Sequence, residues 1–155
     1  FPEANDMEKA EIIKKLNWFY LLEINQVHLY RMQSRQVDDF YLQKTLERVA
    51  EIEQGHVENI RAKIVELGGI PGMFGEIAGP FSGSVAGLAT GAAGTVALLK
   101  ANIQLEEKAM KDYRDFILQA GKDSDLFNLL WSNLIDEDLH TAWFSNKVQE
   151  LEKRQ

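Results

Sequence analysis

Glu53-Gln54-Gly55-His56 and Glu137-Asp138-Leu139-His140 are two Glu-x-x-His tetrads in one chain, and they follow lone glutamates, Glu23 and Glu106, by 30 and 31 residues. On an α-helix, residues three apart share a face, so a Glu and a His at that spacing can grip one cation together. Two such helices supply two grips, and a glutamate from each of two further helices bridges or completes the pair. The pattern predicts four helices carrying six metal-ligating side chains, Glu23, Glu53, His56, Glu106, Glu137 and His140, around two ions in a bundle interior.

Working outward, the match between the two halves extends well beyond the tetrads. A shift of 83 residues lays Glu23 on Glu106 and Tyr30-Arg31 on Tyr113-Arg114, and a shift of 84 lays Glu53 on Glu137 and His56 on His140. The second shift also lays Lys63, Glu66 and Leu67 on Lys147, Glu150 and Leu151. Self-similarity at that spacing reads as a duplicated helical hairpin, with half of a metal site in each copy.

The 155 residues suit one domain, 1–155, and a hydrophobic content of 45% is ample for a single core. The absence of cysteine excludes disulfides, thiolate nucleophiles and iron–sulfur clusters, and fits a cytoplasmic setting. A net charge of -7 and a pI near 5.0 argue against a nucleic-acid partner, which rewards basic surfaces. The chain begins Phe1-Pro2, without a basic-then-apolar leader.

Helix signals place four helices at about 6–33, 39–67, 92–120 and 124–152. Asn5 or Asp6 caps the first, Asp38 or Asp39 starts the second, Gly68-Gly69 stops it, and Ser124 or Asp125 opens the fourth. In the first helix Ile12, Ile13, Leu16, Phe19, Tyr20, Val27 and Tyr30 keep near-3.6 spacing, and Glu23 falls within that apolar stripe. An unpaired buried carboxylate there is costly, and metal is its economical partner.

Between the second and third helices, residues 68–91 read as a long crossover, with glycine every fourth position at Gly75, Gly79, Gly83, Gly87 and Gly91. Its Gly, Ala and Ser content is too weakly apolar for a convincing membrane span. Peripheral membrane contact through 70–99, or access there to an apolar substrate channel, is the second option. The same glycine strip offers a close-packing face for a homo-oligomer.

Glu107 competes with Glu106, but only Glu106 keeps the spacing to Tyr113 that Glu23 keeps to Tyr30. Tyr30 and Tyr113 lie two turns beyond their glutamates on the same face. They read as core packing, as donors to ligand carboxylates or as redox-active phenols near the metals, the donor role being favoured. His28 is off that face and reads as a surface or packing histidine; Trp18, Trp131 and Trp143 read as core or, alternatively, as the lining of a pocket.

Taken together, these residues resemble the ferritin-like di-iron carboxylate superfamily over essentially the whole chain, which implies an all-α, ferritin-like four-helix bundle. Among its branches the chain looks most like the demethoxyubiquinone hydroxylases, through the Glu23–Tyr30 and Glu106–Tyr113 offsets and the Gly- and Ala-rich segment 70–99. It departs from them at Asp112, where a His is common, at Leu22-Glu23-Ile24, where glycine is common, and in ending fifteen residues after His140. The rubrerythrin-like branch is the runner-up. The resemblance implies two Fe ions on the six named residues, with Mn sharing the same donor preferences.

The expected function is therefore a non-haem di-iron oxidoreductase that activates dioxygen or peroxide, with a quinone-like small molecule as substrate and an external electron donor. Peroxide reduction or ferroxidase activity without an organic substrate is the catalytic rival. A metal-storage or membrane-docking helical module is the rival of another class.

Overall fold

The computed structural model describes residues 8–73, 88–120 and 123–154. These form helices α1 (Lys9–Gln36), α2 (Phe40–Glu66), α3 (Thr95–Gln119) and α4 (Ser124–Lys153). α1 packs along α2 and α3 along α4, so each half is a hairpin, and the hairpins also meet through α2 and α4. No strand occurs among the described residues.

Local chemistry sets the helix ends. Asp39 caps α2, accepting from Leu42 N at 2.8 Å. Gly68 and Gly69 end that helix by donating to Val65 O and Ile64 O, with Gly68 at φ 86°. Gly69 is also needed for packing, since a Cβ there would lie 2.6 Å from Ile13 Cγ2 on α1. α4 opens at Ser124, and its cap is Asp123, whose carboxylate reaches the Asp125 and Leu126 amides at 3.0 Å. α3 begins at Thr95 rather than near 92, because Gly91 and Gly94 adopt φ of 83° and 100°, which break a right-handed helix. α1 continues three residues beyond the expected Gln33, until Val37 turns extended. The expected caps Asn5 and Asp6 lie outside the described residues, as do Gly75, Gly79, Gly83 and Gly87 of the crossover. None of the described helices is long and apolar enough to cross a membrane.

The duplication survives as packing. Lys63 near the end of α2 pairs with Glu66 and with the α4 cap Asp123; Lys147 near the end of α4 pairs with Glu150 and with the α2 cap Asp39. α2 and α4 are thus antiparallel and related by an approximate twofold axis. Outside, the symmetry is broken: α4 exposes Phe127, Trp131, Ile135 and Leu139, where α2 carries Gln43, Glu47, Glu51 and Gly55.

Two large apolar clusters fill most of the interior, beside a small third one of Ala89, Ala101 and Leu105. One gathers Leu16, Phe19, Leu22, Ile60, Ile64, Tyr113, Phe116, Leu126 and Leu130. The other gathers Tyr30, Leu42, Leu46, Val49, Leu98, Leu99, Phe144 and Val148. Between them the four helices carry a band of buried polar and charged side chains.

Candidate metal centre

Each helix contributes to that band from its middle. Glu23 comes from α1, Glu53 and His56 from α2, Glu106 from α3, and Glu137 and His140 from α4. The four carboxylates are fully buried and the histidines nearly so, at 3% and 5% exposure. All six residues singled out by spacing therefore converge, whereas Glu107 and His28 are exposed.

His56 Nδ1 lies 3.3 Å from Glu23 Oε1, 3.0 Å from Glu53 Oε2 and 3.1 Å from Glu137 Oε1. One ring nitrogen can carry one proton, so it cannot satisfy three carboxylate oxygens, whereas a cation can bind all four atoms at once. His140 Nδ1 lies 3.1 Å from Glu53 Oε1 and 3.7 Å from Glu106 Oε1. Glu23 Oε2, Glu106 Oε2 and both Glu137 oxygens make no hydrogen bond; Glu137 Oε1 is near His56 Nδ1 but off the line of a bond. Buried polar atoms are seldom left without partners, so these oxygens mark places for a cation.

The donors divide into two overlapping groups, Glu23, Glu53, His56 and Glu137, and Glu53, Glu106, Glu137 and His140, each within 4.8 Å. Glu53 and Glu137 belong to both, which suits them to bridge two ions.

Electrostatics follow from crowding four carboxyls in a dry interior. Burial, then Glu23 and Glu106, hold Glu53 well above the usual carboxylate range, and burial with Glu106, Glu23 and Glu53 does the same to Glu137. Burial also raises Glu23, but the His56 charge and hydrogen bonds outweigh it, and Glu23 falls below its ordinary value. For His56 burial acts downward, yet the Glu23 charge, the bond to Asp136 and the nearby Glu137 carboxyl raise it well above an ordinary histidine. For His140 burial also acts downward, but the neighbouring Glu106 and Glu137 carboxyls outweigh it and raise it. Two divalent ions would match the charge of the four ionised carboxylates.

The tyrosines cross over. Tyr30 on α1 donates to Glu106 Oε1 on α3, and Tyr113 on α3 donates to Glu23 Oε1 on α1, both at 2.5 Å. Burial and the adjacent glutamates hold both phenols protonated, well above their ordinary range. Asn133 Nδ2 donates to the Tyr113 hydroxyl at 3.2 Å.

Asp136 is the residue that spacing did not single out. Its Oδ2 lies 2.7 Å from His56 Nε2, a contact that favours a proton on that nitrogen and leaves Nδ1 as the one to face a cation among the carboxylates once its own proton is displaced. Its position beside Glu137 was the available signal. The repeat hid it, because the equivalent residue is Ile52 and His140 Nε2 has no partner. Trp143 lines a separate cavity of about 300 Å³ with Tyr41, Asn146, Lys147 and Glu150, and shares no residue with the cluster. Trp131 is exposed at 48% rather than part of the core.

Four helices converging carboxylates and imidazoles on one buried centre define an all-helical protein whose interior suits metal ions. The chain belongs to the ferritin-like domain family, whose model matches residues 14–154. No curated protein matches the chain.

Proposed function

We propose that the protein is a non-haem di-iron oxidoreductase that reacts with dioxygen or peroxide. The observation that carries this reading is His56 Nδ1 facing three buried carboxylate oxygens, repeated in weaker form at His140. Carboxylate and imidazole donors suit iron, and manganese next. Glu23 with His56 and Glu106 with His140 would hold one ion each, while Glu53 and Glu137 span both.

Bound iron would supply one-electron redox chemistry and positions open to a small oxidant. The chain's own contribution is to place and isolate. Tyr30 and Tyr113 fix Glu106 and Glu23 from across the bundle, Asp136 fixes the His56 ring, and the two apolar clusters keep bulk water out. Electrons come from an external donor, since the sequence has no flavin or haem motif.

Hydroxylation of a quinone-like substrate is the narrower form of this reading, supported by the Glu-to-Tyr offsets. Ferroxidase or storage use of the same site, with iron as cargo, is its rival, and ferritin-like proteins include storage proteins as well as di-iron enzymes. Metal quantitation with anomalous scattering at the iron edge tests the centre. About two irons per chain, both lost in Glu53→Ala and one lost in His140→Ala, is the expected result, and folded protein without metal after iron-replete growth sinks the reading. Anaerobic reduction followed by peroxide or dioxygen, with and without quinone analogues, separates the chemistries.

A further inference from the structure

Gln26 is fully buried, and neither its Oε1 nor its Nε2 has a hydrogen-bond partner. It lies on the inner face of α1, one turn beyond Glu23 and one turn before Tyr30, the two residues through which α1 reaches the cluster. The equivalent position on α3, three residues after Glu106, is Ala109, also fully buried. The α1–α3 register is set by Tyr113–Glu23 on one side and Tyr30–Glu106 on the other, which puts Gln26 level with Ala109 near the pseudo-twofold axis. One copy of the repeat has thus kept a small apolar residue where the other buries an amide that the fold does not use.

That wall also supplies fewer of the ligands. Both histidines and both shared glutamates come from α2 and α4, whereas α1 and α3 supply one glutamate each. Other polar side chains nearby are engaged. Tyr30 and Tyr113 bond the carboxylates, Gln33 bonds Asn102 and Ala89 O, and Asn17 receives Gly72 N. Among the described residues there, only the Gln26 amide keeps both its donor and its acceptor free.

We propose that Gln26 is a specificity-determining residue that binds hydrogen peroxide between α1 and α3, making peroxide rather than dioxygen the preferred oxidant. The proposal rests on the di-iron reading above. A carboxamide donates and accepts, and hydrogen peroxide does both. Dioxygen has no proton to donate, and a quinone carbonyl only accepts. In the reaction served, hydrogen peroxide takes two electrons, one from each ferrous ion, and two protons from solvent; its O–O bond breaks and two waters leave.

The test uses the full chain, iron-loaded and anaerobically reduced, with Gln26→Leu and, as a second variant of similar volume, Gln26→Met. Oxidation is followed by stopped flow against peroxide and, separately, dioxygen concentration. Expected are a half-saturating peroxide concentration raised about tenfold, the loss of one buried hydrogen bond, with little change in limiting rate or in oxidation by dioxygen. Iron content stays at the wild-type value, and the thermal midpoint of the metal-free variants is no lower than wild type, because unpaired polar atoms are being removed. An unchanged half-saturation, equal slowing with both oxidants, or a midpoint lowered in both variants overturns the proposal. Wild-type protein that takes up no iron overturns the di-iron reading itself, whereas a loaded wild type matched by its variants overturns only the role of Gln26.

Discussion

The Tyr113 hydroxyl donates to Glu23 Oε1 and at the same time accepts from Asn133 Nδ2, so one phenol ties α1, α3 and α4 together at the edge of the metal centre. Its twin, Tyr30, makes the matching bond to Glu106, but the residue equivalent to Asn133 is Val49 and brings no third partner.

Tyr113→Phe should therefore cost more stability than Tyr30→Phe. Each substitution removes a hydrogen bond to a charged group, worth about 1.5–3 kcal/mol, and Tyr113→Phe also strands the buried Asn133 amide. Urea denaturation of the metal-free variants measures the difference; equal losses would show that Asn133 finds another partner.

Removing a shared glutamate should do more than removing an end one. Glu53→Ala or Glu137→Ala is expected to abolish binding of both ions, because each residue belongs to both donor groups, whereas Glu23→Ala or Glu106→Ala should leave one. Iron and manganese titrations followed by elemental analysis read the stoichiometry, and a single remaining ion in Glu53→Ala would contradict the shared role.

Asp136→Ala should weaken the two ions unequally. Loss of the Nε2 partner frees the His56 ring to adopt the wrong tautomer, and such outer contacts are typically worth 10–100-fold in affinity. Since His140 has no equivalent partner, calorimetric titration should resolve one weakened and one unchanged site. Uniform weakening of both would place Asp136 in a general electrostatic role.

The metal-free protein should lose stability as pH rises. Glu53, Glu137, His56 and His140 all hold their protons more tightly when folded than when unfolded. Above the unfolded values, about 4.3 for Glu and 6.5 for His, the native state binds more protons than the unfolded state, so the slope of stability against pH is negative. Glu23, shifted the other way, loses its contribution only as pH falls below the ordinary carboxylate range. Scanning calorimetry with chelator from about pH 5 to 9 should show a falling midpoint, flattened by bound metal, because cations replace the protons. A midpoint that rises over this interval would contradict the crowded-carboxylate account.

Much of this architecture is legible locally. Helix caps such as Asp39, the Gly68-Gly69 stop and the Glu-x-x-His spacing depend on neighbours within a few residues, so sequence reports them directly. α4 opens at Ser124, within the expected start, but Asp123, Ser124 and Asp125 are all competent caps, and only backbone geometry at the helix start selects Asp123. Asp136 was missed because the repeat equates it with Ile52, and only the approach of α4 to His56 gives it a partner.

By itself, the sequence determined that six residues lie on helical faces in two matched sets, since periodicity constrains direction along and around a helix. It could not say which tyrosine serves which glutamate. Tyr30 shares a face with Glu23 yet bonds Glu106, because long side chains on adjacent antiparallel helices reach across the bundle more easily than they fold back two turns along their own. That crossing, the Asp136–His56 contact and the unpaired amide of Gln26 depend on how the hairpins dock, and only the tertiary structure decided them.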